Sequence, residues 1–482
     1  MALGANFFIR LGSLVVLARL LEPKDFGLLG MVTAFTGVLG LFRDFGLSSA
    51  AVQRSTVTEE QSSTLFWINI LVGAVLTAFT AACAPLVSGF YREPRLLWFT
   101  VVVAIGFLFN AAGVQHSALL QRQMRFTALA IVEVTSWALS SAIGIGAALA
   151  GTGPWALVAM TVCLPLTNTI GLWLAAAWVP GRPHRGVGMR SMMRFGGTLT
   201  LNGIIVYIAS NCEKVLLGRF WGPQALGIYG RAYQLIRIPT DNLNSSVGDV
   251  AFSALSRIQD DPQRVRRYFL KGYSLVLSLT LPITIACALF SDDIISVLLG
   301  SKWKEAAAIF RLLAPTMLVF AVANPLGWLL NALGLVKRGL YIAFVIAPLM
   351  IASYAIGLPY GPKGVALSYS VVTMLWIIPV AIWAVHGTTV SALDLLIAVG
   401  RPLASIVAPA ALAYALRLFL GHSLSPLPRL VLETAILFTA YLAVLFFVAG
   451  QKDFYLDLYR GFRGRSSGPE ELITALEPGA SR

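Results

Sequence analysis

The chain has 482 residues, of which 57% are hydrophobic and only 12% charged, where a soluble domain carries roughly 25% charged residues. Too few polar side chains are present to cover a water-soluble domain, so hydrocarbon is the solvent in which this sequence folds. The net charge of +14 would suggest nucleic acid in a soluble protein, but the basic residues concentrate in alternate loops between apolar runs, so we expect no nucleic-acid partner.

A helix crosses a hydrocarbon core of about 30 Å with roughly 20 mostly apolar residues. Such runs fall at 4–21, 26–42, 64–88, 96–114, 127–150, 154–179, 196–218, 225–251, 271–290, 307–331, 339–359, 364–385, 394–420 and 428–449. They predict an all-α polytopic membrane protein with about 14 transmembrane helices. The first run has no basic leader and holds Arg10 and Arg19, so it reads as a first span and not a cleavable signal, and its bare start suggests a truncated amino terminus. Placing both termini in the cytoplasm puts 21 Lys and Arg of the loops and tail inside against 8 outside; cytoplasmic loops carry that excess.

Polar residues within spans are costly and face a wet or paired interior. In the first run Asn6, Arg10 and Ser13 stand at i, i+4 and i+7, one stripe on an apolar helix. Tyr207, Asn211 and Lys214 repeat that spacing in the seventh. The eighth carries Arg231, Gln234, Asp241 and Ser245 on one face, with Arg237 four residues before Asp241, a spacing that permits an intrahelical ion pair. We read Asn6, Arg10, Asn211, Lys214, Arg231, Gln234 and Arg237 as lining a cationic cavity; the alternative is that the long basic side chains snorkel or pair locally. Glu213 and Lys214, being adjacent, point about 100° apart and should pair with other helices. Glu133, Glu213 and Asp241 are the candidates for coupling to an ion or proton, and Glu133 and Glu433 serve equally well as hydrogen-bond partners of a neighbouring helix. Pro165, Pro239, Pro282, Pro315, Pro348 and Pro379 each permit a bend.

Enzyme signatures are scarce. There is no G-x-x-x-x-G-K-[ST] loop, the four histidines are scattered, and Cys83, Cys163, Cys212 and Cys287 show no metal-type spacing, so no cofactor, metal or catalytic residue is expected. Asp292 and Asp293, where a membrane glycosyltransferase would keep a catalytic acid, read more simply as helix-start residues.

Residues 15–30 (VVLARLLEPKDFGLLG) lie over 215–230 (VLLGRFWGPQALGIYG) at a constant offset of 200, matching Val15, Leu17, Arg19, Pro23, Gly27 and Gly30 with Val215, Leu217, Arg219, Pro223, Gly227 and Gly230. QRSTVTEEQ is echoed by SRIQDDPQR, and GTGPWALVA by GPKGVALSY. The chain therefore divides into a six-helix lobe (1–180), a basic cytoplasmic linker (181–195), a second six-helix lobe (196–385), two additional helices (386–450) and a cytoplasmic tail (451–482). Because each repeat has an even number of spans, the pseudo-two-fold axis should run along the membrane normal, an arrangement of transporters.

With LARLLEPKDFGLLG, RDFGLSSAAVQR, ALLQRQMRFTALAIVE, GTGPWALVA, GRFWGPQALGIYGRAYQL, AFSALSRIQDD and LLGSKWKEA in this order, the chain resembles the polysaccharide transporter branch of the multidrug, oligosaccharidyl-lipid and polysaccharide flippase superfamily. It departs from that pattern at Glu213, where aspartate is commoner. The resemblance implies a flippase of the bacterial cytoplasmic membrane that turns undecaprenyl-diphosphate-linked oligosaccharide outward by alternating access, in company with membrane lipids, a polysaccharide polymerase and glycosyltransferases. A peptidoglycan-precursor flippase shares the helix number and cationic cavity. A multidrug extruder would have twelve helices and acidic sites, and a membrane glycosyltransferase a large outer loop, which this sequence lacks.

Overall fold

The computed structural model describes residues 2–42, 58–183, 189–420 and 424–448, and their side chains except at 2–3, 189–206, 245, 246, 249, 250 and 420. Residues 184–188 of the linker, the 451–482 tail, the RDFGLSSAAVQR motif and the Ser245 side chain lie outside the described residues. Among those described, all regular structure is helical: α1 Ala2–Leu20, α2 Pro23–Gly40, α3 Glu59–Tyr91, α4 Leu96–Arg122, α5 Phe126–Leu149, α6 Trp155–Ala176, α7 Met189–Arg257, α8 Pro262–Leu289, α9 Ser291–Leu298, α10 Lys304–Leu313, α11 Pro315–Ala332, α12 Val336–Gly357, α13 Gly361–Val385, α14 Ala392–Leu420 and α15 Pro426–Ala443. Among the described residues, eight stretches are long and apolar enough to cross a membrane, nine if Ser301–Leu313 and Pro315–Ala332, bent by 47° where they meet, form one span. One of them, Val336–Val385, contains both α12 and α13. The helices α1, α2 and α7 fall outside this set; α1 and α7 carry the polar stripes singled out above.

Helix starts follow from local chemistry. Thr58 caps α3 in a reciprocal box with Gln61, each bond 3.2 Å. Asp261 caps α8 through the amides of Gln263 and Arg264 at 3.1 and 3.0 Å, with Pro262 at the first turn. These are the two echoed segments. On α3, Leu71, Val75, Phe79, Leu86 and Phe90 are exposed while Asn69, Leu76, Thr80, Ala84 and Val87 are buried. A solvent-facing stripe this apolar is stable only against lipid.

The chain forms two compact units. The first comprises Met1–Gly230 with Leu298–Trp303 and Tyr354–Val365. Within it α3 packs on α4, α4 on α6, α5 on α6, and α1 on α5. At the repeat motif the chain turns twice in similar ways: Pro23 opens α2 after the break at Leu21, and α7 breaks at Gly222 (φ 79°), with Pro223 following. The sequence reading expected a loop there; the glycine's left-handed backbone turns the chain within a single residue instead. The two turns cross. A Cβ on Gly27 would overlap the carbonyl of Pro223, and a Cβ on Gly227 would overlap that of Pro23. The contact is reciprocal, as two copies related by a two-fold would make it.

Further contacts extend the pattern. Trp303, fully buried, donates its indole N–H to the carbonyl of Ala18 at 2.8 Å and packs edge-on against Phe26. The ring of Tyr91 lies against Gly218, the residue 200 after Ala18.

The second unit comprises Arg231–Val297, Lys304–Ser353 and Ala366–Arg482. Its core joins Phe269, Tyr273, Val276 and Leu277 of α8 to Leu326, Leu329 and Leu330 of α11, and α14 and α15 pack on α8 around Leu281, Phe290, Ile406, Ala413 and Leu437. Charge pins both ends of α14: Arg266 of α8 donates to Asp394 at 2.8 Å, and Arg417 reaches Asp292 of α9 at 3.5 Å.

Because backbone cannot yield as a side-chain tip does, Gly27→Ala and Gly227→Ala should each cost about 1–3 kcal/mol and lower the thermal unfolding midpoint in detergent. Gly12→Ala, with open space around its Cβ position, should leave the midpoint unchanged or raise it slightly.

Candidate functional site

In the first unit, α1 places Arg10 against α5. Its guanidinium lies 4.3 Å from the centre of the Trp137 ring and donates to Glu133 at 3.4 Å. Glu133 and Trp137, four residues apart, share one face of α5. The pair is half-exposed, at 53% for Arg10 and 48% for Glu133. Ser13 is buried and donates to the Arg10 carbonyl at 3.0 Å; Asn6 is buried with its side-chain oxygen unpartnered among the described residues. One predicted cation and one predicted coupling acid thus meet in a single ion pair.

The α7 stripe is tied along its own helix. Asn211 donates to the Tyr207 carbonyl at 2.9 Å, Lys214 donates to the Asn211 oxygen at 2.6 Å, and the Tyr207 hydroxyl donates to the Thr33 carbonyl of α2 at 3.1 Å. Asn211 therefore holds the Lys214 ammonium along its own helix. Beside it Glu213 is buried, and neither carboxylate oxygen has a hydrogen-bond partner among the described residues. The expected pairing of Glu213 with another helix is absent there.

In the second unit, Arg231 donates to Gln234. Arg237 pairs with Asp241 through two contacts, 3.3 and 3.0 Å, the intrahelical pair that the spacing permits, and its guanidinium lies 4.7 Å from the Phe320 ring of α11. Two arginines, Arg10 and Arg237, thus share one construction: an aromatic face under the guanidinium and an acid at its edge.

Asp292 and Asp293 do more than begin a helix. Arg311 pairs with Asp292, Arg429 pairs with the buried Asp293, and Arg417 lies 3.6 Å from Asp293 and 3.8 Å from the buried Glu433. Three arginines stand against three acids, and the cluster ties α14 and α15 to α9 and α10. Sequence reasoning missed it, as it missed Trp137 and Phe320. For Trp137 the i+4 spacing from Glu133 was the available signal.

Burial separates these pairs energetically. Replacing Arg429 by Met leaves Asp293 with only Arg417 at 3.6 Å, so stability should fall by about 3 kcal/mol or more, the cost of stripping a buried acid of its partner. Arg10→Met removes a half-exposed pair and should cost about 1 kcal/mol or less. Thermal unfolding in detergent reads both.

The profile of polysaccharide biosynthesis proteins matches residues 16–308. Teichuronic acid biosynthesis protein TuaB of Bacillus subtilis (strain 168) is 31% identical over 300 residues, a match that spans 62% of this chain and 62% of TuaB. Lipopolysaccharide biosynthesis protein WzxC of Escherichia coli (strain K12) is 26% identical over 386 residues, 78% of this chain and 77% of that protein. Among solved structures, lipid II flippase MurJ in an inward closed conformation superposes with a TM-score of 0.74 at 14% identity, covering 95% of this chain and 99% of that one, so the chain has that fold. Matching more than half of its length, the chain belongs to the family of polysaccharide biosynthesis proteins.

Proposed function

We propose that the chain is a flippase for undecaprenyl-diphosphate-linked oligosaccharide in a bacterial cytoplasmic membrane, and not an enzyme. Twelve of its fourteen spans form two six-helix lobes, 1–180 and 196–385, related by a pseudo-two-fold along the membrane normal; two additional spans follow at 386–450, and both termini, the 181–195 linker and the 451–482 tail lie in the cytoplasm. The reciprocal crossing of Gly27 and Gly227 supports the two-fold, and the fold shared with a lipid II flippase supports lipid-linked cargo. Polymerase and glycosyltransferases would act on either side of the same step.

The observation that carries this reading is the state of Arg10. Among the described residues Glu133 is its one hydrogen-bond partner, and a guanidinium has five donors, so most of the fork is available to phosphate oxygens. A diphosphate bearing sugars cannot enter hydrocarbon unaided; arginine and lysine in a wet cavity replace its lost hydration with charge-assisted hydrogen bonds. Lys214, Arg231 and Arg237 supply further positive charge, Asn6, Asn211 and Gln234 position it, and Glu213 and Asp241 are the acids through which an ion or proton would couple. Alternating access moves this charge from one face to the other while the lipid tail stays in the bilayer.

Arg10→Gln or Arg231→Gln should impair export in a complementation assay and leave lipid-linked sugar accumulated inside, with the protein still inserted. Lysine should be tolerated better than glutamine but not fully, since it lacks the bidentate fork. Wild-type export by either properly inserted glutamine variant contradicts the reading. Cysteines placed at Ser191 and Ser466 should resist an impermeant thiol reagent added to intact cells; labelling at either position overturns the orientation.

A further inference from the structure

We infer that Glu133 is a built-in competitor for the Arg10 guanidinium, one that promotes release of the bound diphosphate, and that Trp137 is the positioning residue that keeps Arg10 in place through the exchange. The inference rests on the cationic-site reading above and adds to it the step by which so anionic a ligand leaves.

The geometry separates two supports that an ordinary ion pair combines. Trp137 takes the face of the guanidinium, with the ring centre 4.3 Å away. Glu133 takes one edge, with one oxygen on one nitrogen at 3.4 Å. Charge-assisted bonds of this kind are usually about 2.7–2.9 Å and often bidentate, so the contact is long and single. Among the described residues no other charged side chain hydrogen-bonds either member. A phosphate can therefore approach the unfilled part of the fork while the ring still holds the side chain, because a cation over an aromatic face needs no edge donor.

Once phosphate and carboxylate share one guanidinium, their like charges lie within a few ångströms and repel. Binding must displace or tolerate Glu133, and the returning carboxylate helps to expel the ligand. A site with Arg10 alone would hold the diphosphate longer and deliver it more slowly. The alternative is that Glu133 merely staples α1 to α5, which predicts a loss of stability without any gain in affinity.

The test measures binding of undecaprenyl diphosphate to the purified full chain in detergent, together with export in cells. Glu133→Gln should bind up to about fivefold more tightly, the worth of a half-exposed pair, while exporting more slowly than wild type. Glu133→Ala should shift affinity in the same direction, which protects the result against a local effect of the amide. Trp137→Ala should weaken binding with Glu133 intact. Equal or weaker binding by both Glu133 variants overturns the inference. If Arg10→Gln also fails to weaken binding, the cationic-site reading itself falls; if Arg10→Gln weakens binding and the Glu133 variants do not strengthen it, only the competitor role falls.

Discussion

The close approach of two backbone turns, Gly27 on Pro223 and Gly227 on Pro23, constrains much of the first unit. No side chain fits between the turns, so α2 and the second arm of α7 touch through main chain, and the proline that opens each arm supplies the carbonyl against which the other is seated. Around this crossing the indole N–H of Trp303 donates to the Ala18 carbonyl in the last turn of α1, and Tyr91 fills the space beside α7. The arrangement fixes where α1 and the first arm of α7 leave the crossing. Those are the helices that carry Arg10 and Lys214.

The cations are held by partners of different kinds. Lys214 is held by an amide oxygen, Arg10 by a ring face and a single long contact, and Arg237 by a ring and its own helix. The cluster that anchors α14 and α15 is different in kind: two of its three acids, Asp293 and Glu433, are buried, and three arginines stand against the three acids. Such a cluster serves attachment, because breaking it strands a charge where water cannot reach. Arg10, with its single long contact, keeps most of its donors unused among the described residues.

Much of this was legible in the sequence because it is local. The stripe at i, i+4 and i+7 on α7 became a hydrogen-bonded run, the echoed loop segments became the capped starts of α3 and α8, and the offset of 200 picked out the prolines and glycines that cross. Interactions between distant segments left no such trace. Arg417 and Asp292 are 125 residues apart, and Arg429 and Asp293 are 136 apart; neither pair belongs to a helical period. The break drawn at 219–224 is in place but shorter than a loop, because a single positive-φ glycine, Gly222, makes the turn.

The most direct measurement is translocation by the purified chain in liposomes that hold undecaprenyl-diphosphate-linked oligosaccharide, read as the fraction of glycan reached by a glycosidase added outside. With the wild-type chain the inner-leaflet fraction should become accessible far faster than in protein-free vesicles. Accessibility that rises no faster than in protein-free vesicles, from a chain shown to be folded and inserted, would contradict the proposed activity.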